Sequence, residues 1–350
     1  MTADAQLPHI TCPSSLIASC APLLGFVPRD CVVAFIHGVP GRRAPVVLRV
    51  DLPSAGSAAL AARHTAASIA GTAGVAADVV AWVSADSTAT RRTLPSTGFL
   101  TGMLESLAVV GVEVATMLST NGQVWWSHAC DEPACCSEQA TAVDTNRVTA
   151  VQAEYVFAGY APLSGREQVA QRLTRDGGLN SDVRRRLGAG RGVMPTQRWR
   201  DTQVRILTDV LQSDAPCDAP VRPLTPAMAT RLHRGLADIR VRDVVLHRLV
   251  VAGRDCDRCW SGTIEVLCQA VRSAPYGWSA PAASVLALVA WLRGEGSLAT
   301  LSLERALDED PDYRLATLAA EMMRRGTDPR DWRASLTRLP ESECRDPGGR

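Results

Sequence analysis

The chain has 350 residues, 46% hydrophobic and 21% charged, a composition that excludes a disordered or fibrous protein and suits two domains of ordinary size. All 37 basic residues are arginine, set against 36 acids, for a net charge of +1. A Gly-Lys-Ser/Thr phosphate loop, a Schiff-base enzyme and a kinase fold each need a lysine at the chemical centre, so the chain falls outside those classes.

The first 28 residues carry no arginine, and the longest strongly apolar run, 281–292, is short for a bilayer. Neither a secretory signal nor a membrane span is expected, and the chain reads as cytoplasmic. Residues 14–26 predict a helix after Pro13. Residues 31–36 (CVVAFI) and 46–50 (VVLRV) predict strands, and the turn formers between them predict an antiparallel hairpin. The alanine-rich stretch 58–70 predicts a helix that stops near Gly71 and Gly74. A strand over 78–83, a helix over 99–110, a strand over 112–117 and a strand over 123–127 follow. Strands that alternate with helices imply parallel pairing, and fully apolar strands imply burial on both faces. Residues 10–164 are therefore expected to form an α/β sandwich on a mixed, mostly parallel sheet with an antiparallel hairpin edge.

Strand signals stop near residue 165. Residues 165–195 read as an arginine- and glycine-rich connecting region, and residues 196–337 as an all-α domain, with a disordered tail over 338–350. Helices are predicted over 166–173, 197–212, 228–236, 241–251, 259–271, 282–293, 298–308 and 313–324. Residues 280–313 match one 34-residue tetratricopeptide-like helical hairpin, with Gly294 at the turn, small Ala299 and Ala306 on the second helix, and Pro311 ending it. No second copy lies beside it, so the pattern supports a helical domain more directly than a peptide-binding solenoid.

Several segments carry a family resemblance: Leu23-Leu24-Gly25-Phe26-Val27-Pro28-Arg29-Asp30, Arg49-Val50-Asp51-Leu52-Pro53, Trp126-Ser127 with Cys130 and Pro133-Ala134-Cys135-Cys136, Pro162-Leu163-Ser164-Gly165-Arg166-Glu167, and residues 280–315. On these residues the chain resembles the domain-of-unknown-function 4192 family of high-GC Gram-positive bacteria. The resemblance implies a shared fold and no particular activity. Two departures stand out: Val27 where relatives commonly carry histidine, and Ser137-Glu138-Gln139-Ala140 where they tend to carry prolines and glycine.

The candidate metal ligands are His128, Cys130, Cys135 and Cys136, because thiolate and imidazole are the preferred ligands of zinc and one loop supplies four of them. The competing reading is a tight turn whose small thiols pack under Trp125 and Trp126. Cys256 and Cys259 have redox spacing, but the helical context and the flanking Asp255 and Asp257 oppose a thiolate. Arg184, Arg185, Arg186 and Arg191 are the candidate ligand- or partner-binding residues, with a solvated linker as the alternative. The remaining histidines, His233 among them, are scattered, and Asp308-Glu309-Asp310 reads as a solvated turn. The chain has no Gly-x-Ser-x-Gly or His-Glu-x-x-His motif. The expected function is thus a non-catalytic interaction or regulatory protein with a protein partner. The alternative is a zinc- or thiol-dependent enzyme, in which Asp30, Asp51, Asp86 and His128 would matter; nucleic-acid binding ranks last.

Overall fold

Residues 31–36 carry no polar side chain, so a strand built from them has to be covered on both faces. The computed structural model describes residues 10, 12–40, 45–128, 138–157, 162–188, 195–212, 221–251 and 257–345, with backbone alone at 257–259. Helix α1 (Pro13–Leu24) precedes strand β1 (Cys31–His37), and β2 (Val46–Asp51) returns beside it. Helix α2 (Ala58–Gly71), strand β3 (Ala76–Trp82), helix α3 (Thr97–Val109) and strand β4 (Glu113–Thr120) follow. Strands β5 (Val124–Ser127) and β6 (Thr141–Ala142) and helix α4 (Thr145–Phe157) complete this part.

The six strands form one mixed sheet in the order β2-β1-β3-β4-β5-β6. Alternation along β1 serves two cores. Val32, Ala34 and Ile36 cluster with Ala62, Ala66 and Ile69 of α2 and Phe99, Leu100 and Met103 of α3. Cys31, Val33 and Phe35 cluster with Leu16, Ile17 and Cys20 of α1, beside which α4 packs.

The sequence implies a mostly parallel sheet, and the strand pairing corrects this. Among the described strands, only β3 and β4 pair parallel, and the other four pairings are antiparallel. Alternation of strand and helix does set direction: β2 and β3 run the same way, as do β3 and β4. It does not set order in space, because β1 lies between β2 and β3 and pairs antiparallel with both. Two crossovers of one hand that travel the same way across a sheet place their helices on one face, and α2 packs on α3.

Contacts divide the chain into two compact units, residues 1–168 and 169–350. Helix α5 (Arg166–Gln171) spans the division. Helices α6 (Gly177–Gly188), α7 (Gln197–Leu211), α8 (Pro226–Ala237), α9 (Ile239–Val251) and α10 (Asp257–Ser273) follow, then α11 (Ser279–Leu292), α12 (Gly296–Glu309), α13 (Arg314–Arg324), α14 (Pro329–Arg338) and α15 (Glu341–Arg345). Helix α11 is apolar on every side and buried from Ala282 to Trp291, with α8, α10, α12, α13 and α14 packed around it. Each of Val285, Leu286, Leu288 and Val289 is buried, which contributes roughly 1.5–3 kcal/mol per side chain. Gly294, at φ +77°, ends this helix in the left-handed conformation that glycine adopts without strain. Helix α12 then packs back along α11, with Ala299 and Ala306 fully buried. Among the described residues, no helix is long and apolar enough to cross a membrane.

Two more expectations are corrected. Much of the region expected to be a connector is helix α6, in which Val183 and Leu187 are buried and Leu179 packs with them. Asp176 starts that helix by accepting from the N–H groups of Gly178 and Leu179, both at 3.1 Å. Part of the expected disordered tail is α15, which packs on α9. There Glu341 accepts from Arg248 Nε and Nη2 at 2.7 and 2.9 Å, and from Arg345 Nη2 at 2.7 Å. The Arg248 hydrogen bonds, followed by those of Arg345, hold the Glu341 carboxyl down at about 2. Docking of α15 buries Cys344.

Glu341→Gln keeps the shape of this clamp and removes its charge, which weakens hydrogen bonds worth about 1.5–3 kcal/mol. Thiol labelling of Cys344, followed site by site by mass spectrometry, is expected to accelerate by about tenfold or more as α15 opens locally. An unchanged rate would show that packing alone holds the helix.

Candidate functional site

The register places the start of β1 beside the ends of β2, β3 and β4, with Cys31 opposite Asp51 and Trp82, and Trp82 opposite Thr120. Open α/β sheets bind ligands at such a carboxyl edge. Asp30 lies there in a left-handed conformation, φ +42°, and its Oδ1 accepts from Ser84 N at 3.2 Å and Ser84 Oγ at 3.0 Å. Asp51 accepts from Arg49 Nη2 at 2.5 Å, and the Arg49 guanidinium lies 5.9 Å from the centre of the Phe26 ring. Asp86 accepts from the backbone and hydroxyl of Thr88 within its own turn. Each of the three carboxylates is thus engaged by a different partner, Ser84, Arg49 or Thr88.

His128 follows β5, where its N–H donates to Met117 O at 2.7 Å. Its Nε2 lies 2.8 Å from Ser119 Oγ on β4, and Ser119 Oγ lies 2.8 Å from Ser96 Oγ at the start of α3. Both serines are fully buried, so this chain of hydroxyls orients the imidazole and offers no hydroxyl to a substrate. Cys130, Cys135 and Cys136 lie outside the described residues, as do Arg191 and Cys256. Among the described residues, no three of His, Cys, Asp and Glu are grouped to hold a metal. Arg184, Arg185 and Arg186 are exposed on α6, where Arg185 pairs with Asp182 at 2.6 Å.

The helical unit assembles a polar cluster that the sequence did not point to. Glu309, near the end of α12, has a side chain only 4% exposed. Its Oε2 accepts from Ser279 N and Ser279 Oγ, both at 2.7 Å, at the first turn of α11. The positive end of that helix favours a carboxylate. Its Oε1 accepts from Arg175, which precedes α6, and the Arg175 guanidinium lies 5.8 Å from the centre of the Tyr276 ring. The reading of Glu309 as a solvated turn acid is thus corrected: α12 carries it under the start of α11.

Arg305 lies one turn before Glu309 on α12. Its Nε and Nη2 are buried with no hydrogen-bond partner. Burial, then the charge of Arg175, pushes the Arg305 pKa down, while Glu309 and Asp308 act the other way. His233 of α8 is 1% exposed, with Nε2 3.2 Å from Ser273 Oγ. Ser273 donates its own hydrogen to Ala270 O at 2.8 Å, so His233 Nε2 is the donor and Nδ1 carries the bare lone pair. Burial pushes His233 down to about 4. These residues span more than a hundred positions and no motif, so only the proximity of α11 and α12 reveals them.

The model of the family described as Domain of unknown function (DUF4192) matches residues 13–330, and the chain belongs to that family. No curated protein and no solved structure matches it.

Burial of His233 has a pH consequence. Its folded-state pKa, about 4, lies below the ordinary 6.5, so the unfolded chain binds the proton first. Stability from this group is complete above about pH 6.5 and is lost as the pH falls towards 4, a change of about 3 kcal/mol. Thermal melts between pH 7 and 4 are expected to show a steeper loss for the native chain than for His233→Leu, and parallel curves would assign the acid sensitivity elsewhere.

Proposed function

We propose that this member of the domain-of-unknown-function 4192 family is a non-catalytic, cytoplasmic interaction protein whose helical unit holds a protein partner. Support comes from the pairing of α11 with α12, which we read as a single tetratricopeptide-like hairpin; Ala299 and Ala306 are buried in it, α12 ends before Pro311, and α13 and α14 pack on α11. The α/β unit serves as scaffold. Nucleic-acid binding by Arg184, Arg185, Arg186 and Arg191 is disfavoured, since no aromatic side chain interleaves with them for bases to stack on.

One observation carries the reading. Helix α14 has no buried residue, yet it is capped by Asp328 and braced by Trp332, whose ring lies 5.9 Å from that of Trp291. Arg330, Arg333, Ala334, Thr337 and Arg338 follow one helical face and line a shallow, open hollow. Guanidinium groups held along about 12 Å of one helix repel one another and are complementary to an acidic protein surface.

A second reading, zinc at His128, Cys130, Cys135 and Cys136, is favoured by the Ser96–Ser119–His128 chain. A metal-ligating histidine ordinarily hydrogen-bonds its other ring nitrogen to a fixed partner, and Ser119, 2.8 Å from Nε2, is such a partner.

Full-length protein and an Arg330→Glu, Arg333→Glu, Arg338→Glu variant, compared by affinity capture from the host, test the first reading. At least one partner is expected with the native chain and lost with the variant, whose circular dichroism is unchanged because none of the three arginines is buried. Identical recovery would remove α14 from the interface, and no recovery above background would sink the interaction reading. For the second reading, metal analysis under reducing conditions is expected to find one zinc per chain that Cys135→Ser loses; metal-free native protein would end it.

A further inference from the structure

An arginine guanidinium keeps its charge at any ordinary pH, so a buried one needs acceptors. Most arginines inside the helical unit have them. Arg242 donates to Asp243 and Tyr313, Arg248 to Glu341, Arg200 to Asp238 and Arg172 to Glu295. Arg305 differs. Glu309, one turn on along the same helix, has both oxygens taken, one by Arg175 and the other by Ser279. Nε and Nη2 of Arg305 are therefore buried without an acceptor, and the like charge of Arg175 is felt at the same place. Arg49 in the α/β unit also has an unpartnered Nε, but it retains Asp51.

The edge formed by Nε and Nη2 is the fork of arginine that matches two oxygens of one planar anion. The mouth of the cluster is open: Tyr276 is 77% exposed, and the Arg175 side chain that stacks on it is 36% exposed. Glu309 and Asp308 lie on the same helix turn, so a singly charged ligand meets less repulsion at Arg305 than a dianion does. An exposed aromatic ring next to that charge offers apolar area to the body of the ligand.

We infer that Arg305, Arg175 and Tyr276 form a binding site for a small carboxylate, taken in the fork of Arg305 with its apolar part against the Tyr276 ring. Because Nε and Nη2 are buried, the anion reaches them by entering beside Arg305 or by drawing its side chain outward. The site is separate from the α14 face, so the two proposals stand or fall independently.

Calorimetric titration of the full-length protein with benzoate, benzamide and inorganic phosphate tests the inference. Benzoate is expected to bind and to raise the melting temperature, while benzamide, which has the same shape without the charge, does neither. Arg305→Leu is expected to weaken benzoate by at least about tenfold, the loss of one charge-assisted pair, and to melt no lower than the native chain because it removes an uncompensated charge. Arg305→Lys keeps the charge and loses the fork, and is expected to weaken binding similarly while it folds as the native chain does. No benzoate binding, equal binding of benzamide, preference for phosphate, or undiminished binding by both variants would overturn the proposal. To identify the source of the carboxylate, a short peptide with a free C-terminus is compared with its amide. Binding of the free form as tight as that of benzoate would overturn the small-acid assignment.

Discussion

Two segments of this chain are apolar on every side, and most of the architecture is the means of covering them. Strand β1 has to lie inside a sheet with helices on both faces, and helix α11 has to lie inside a ring of helices. The order of the sheet follows: β1 takes the place between β2 and β3, because an edge position would leave its backbone and one flank open to water. In the second unit, α8, α10, α12, α13 and α14 all pack on α11, so helices with strongly polar outer faces still have a fixed place.

That arrangement confines the polar groups. Once α12 lies along α11, Glu309 is beneath the first turn of α11, where the helix dipole, Ser279 and Arg175 compensate its charge. Because all basic residues are arginine, each buried cation carries a planar fork that no pKa shift can neutralise. The resulting ion pairs tie distant parts of the unit together, as Arg248 and Arg345 do around Glu341. Arg305 is the exception among the residues named, and its exception is what marks a place for an external anion.

The elements legible in the sequence are those with strong local patterns. Strands β1 to β5, the hairpin, α2, α3 and helices α7 to α13 all lie where apolar periodicity places them, within a few residues. The elements that were missed are polar. Helix α4 buries only Val151 and Tyr155, and α6 keeps a sparse 179, 183, 187 stripe among arginines and between glycines. Asp176 before that stripe was the available signal, an N-cap hidden by the loop-like composition. Among the candidate site residues, His128 was singled out, although its buried serine partners, 9 and 32 positions away, follow from strand and helix placement alone.

By itself the sequence determined which segments must be buried and in which direction the strands run, because period and apolarity are local properties of the chain. It also determined the family and excluded lysine chemistry. Only the tertiary structure decided which strands are neighbours, since a helical crossover fixes direction and can skip a strand. It alone brought Arg175, Tyr276, Arg305 and Glu309 together, because charge compensation inside a helical unit depends on which turns face each other. No local spacing encodes that.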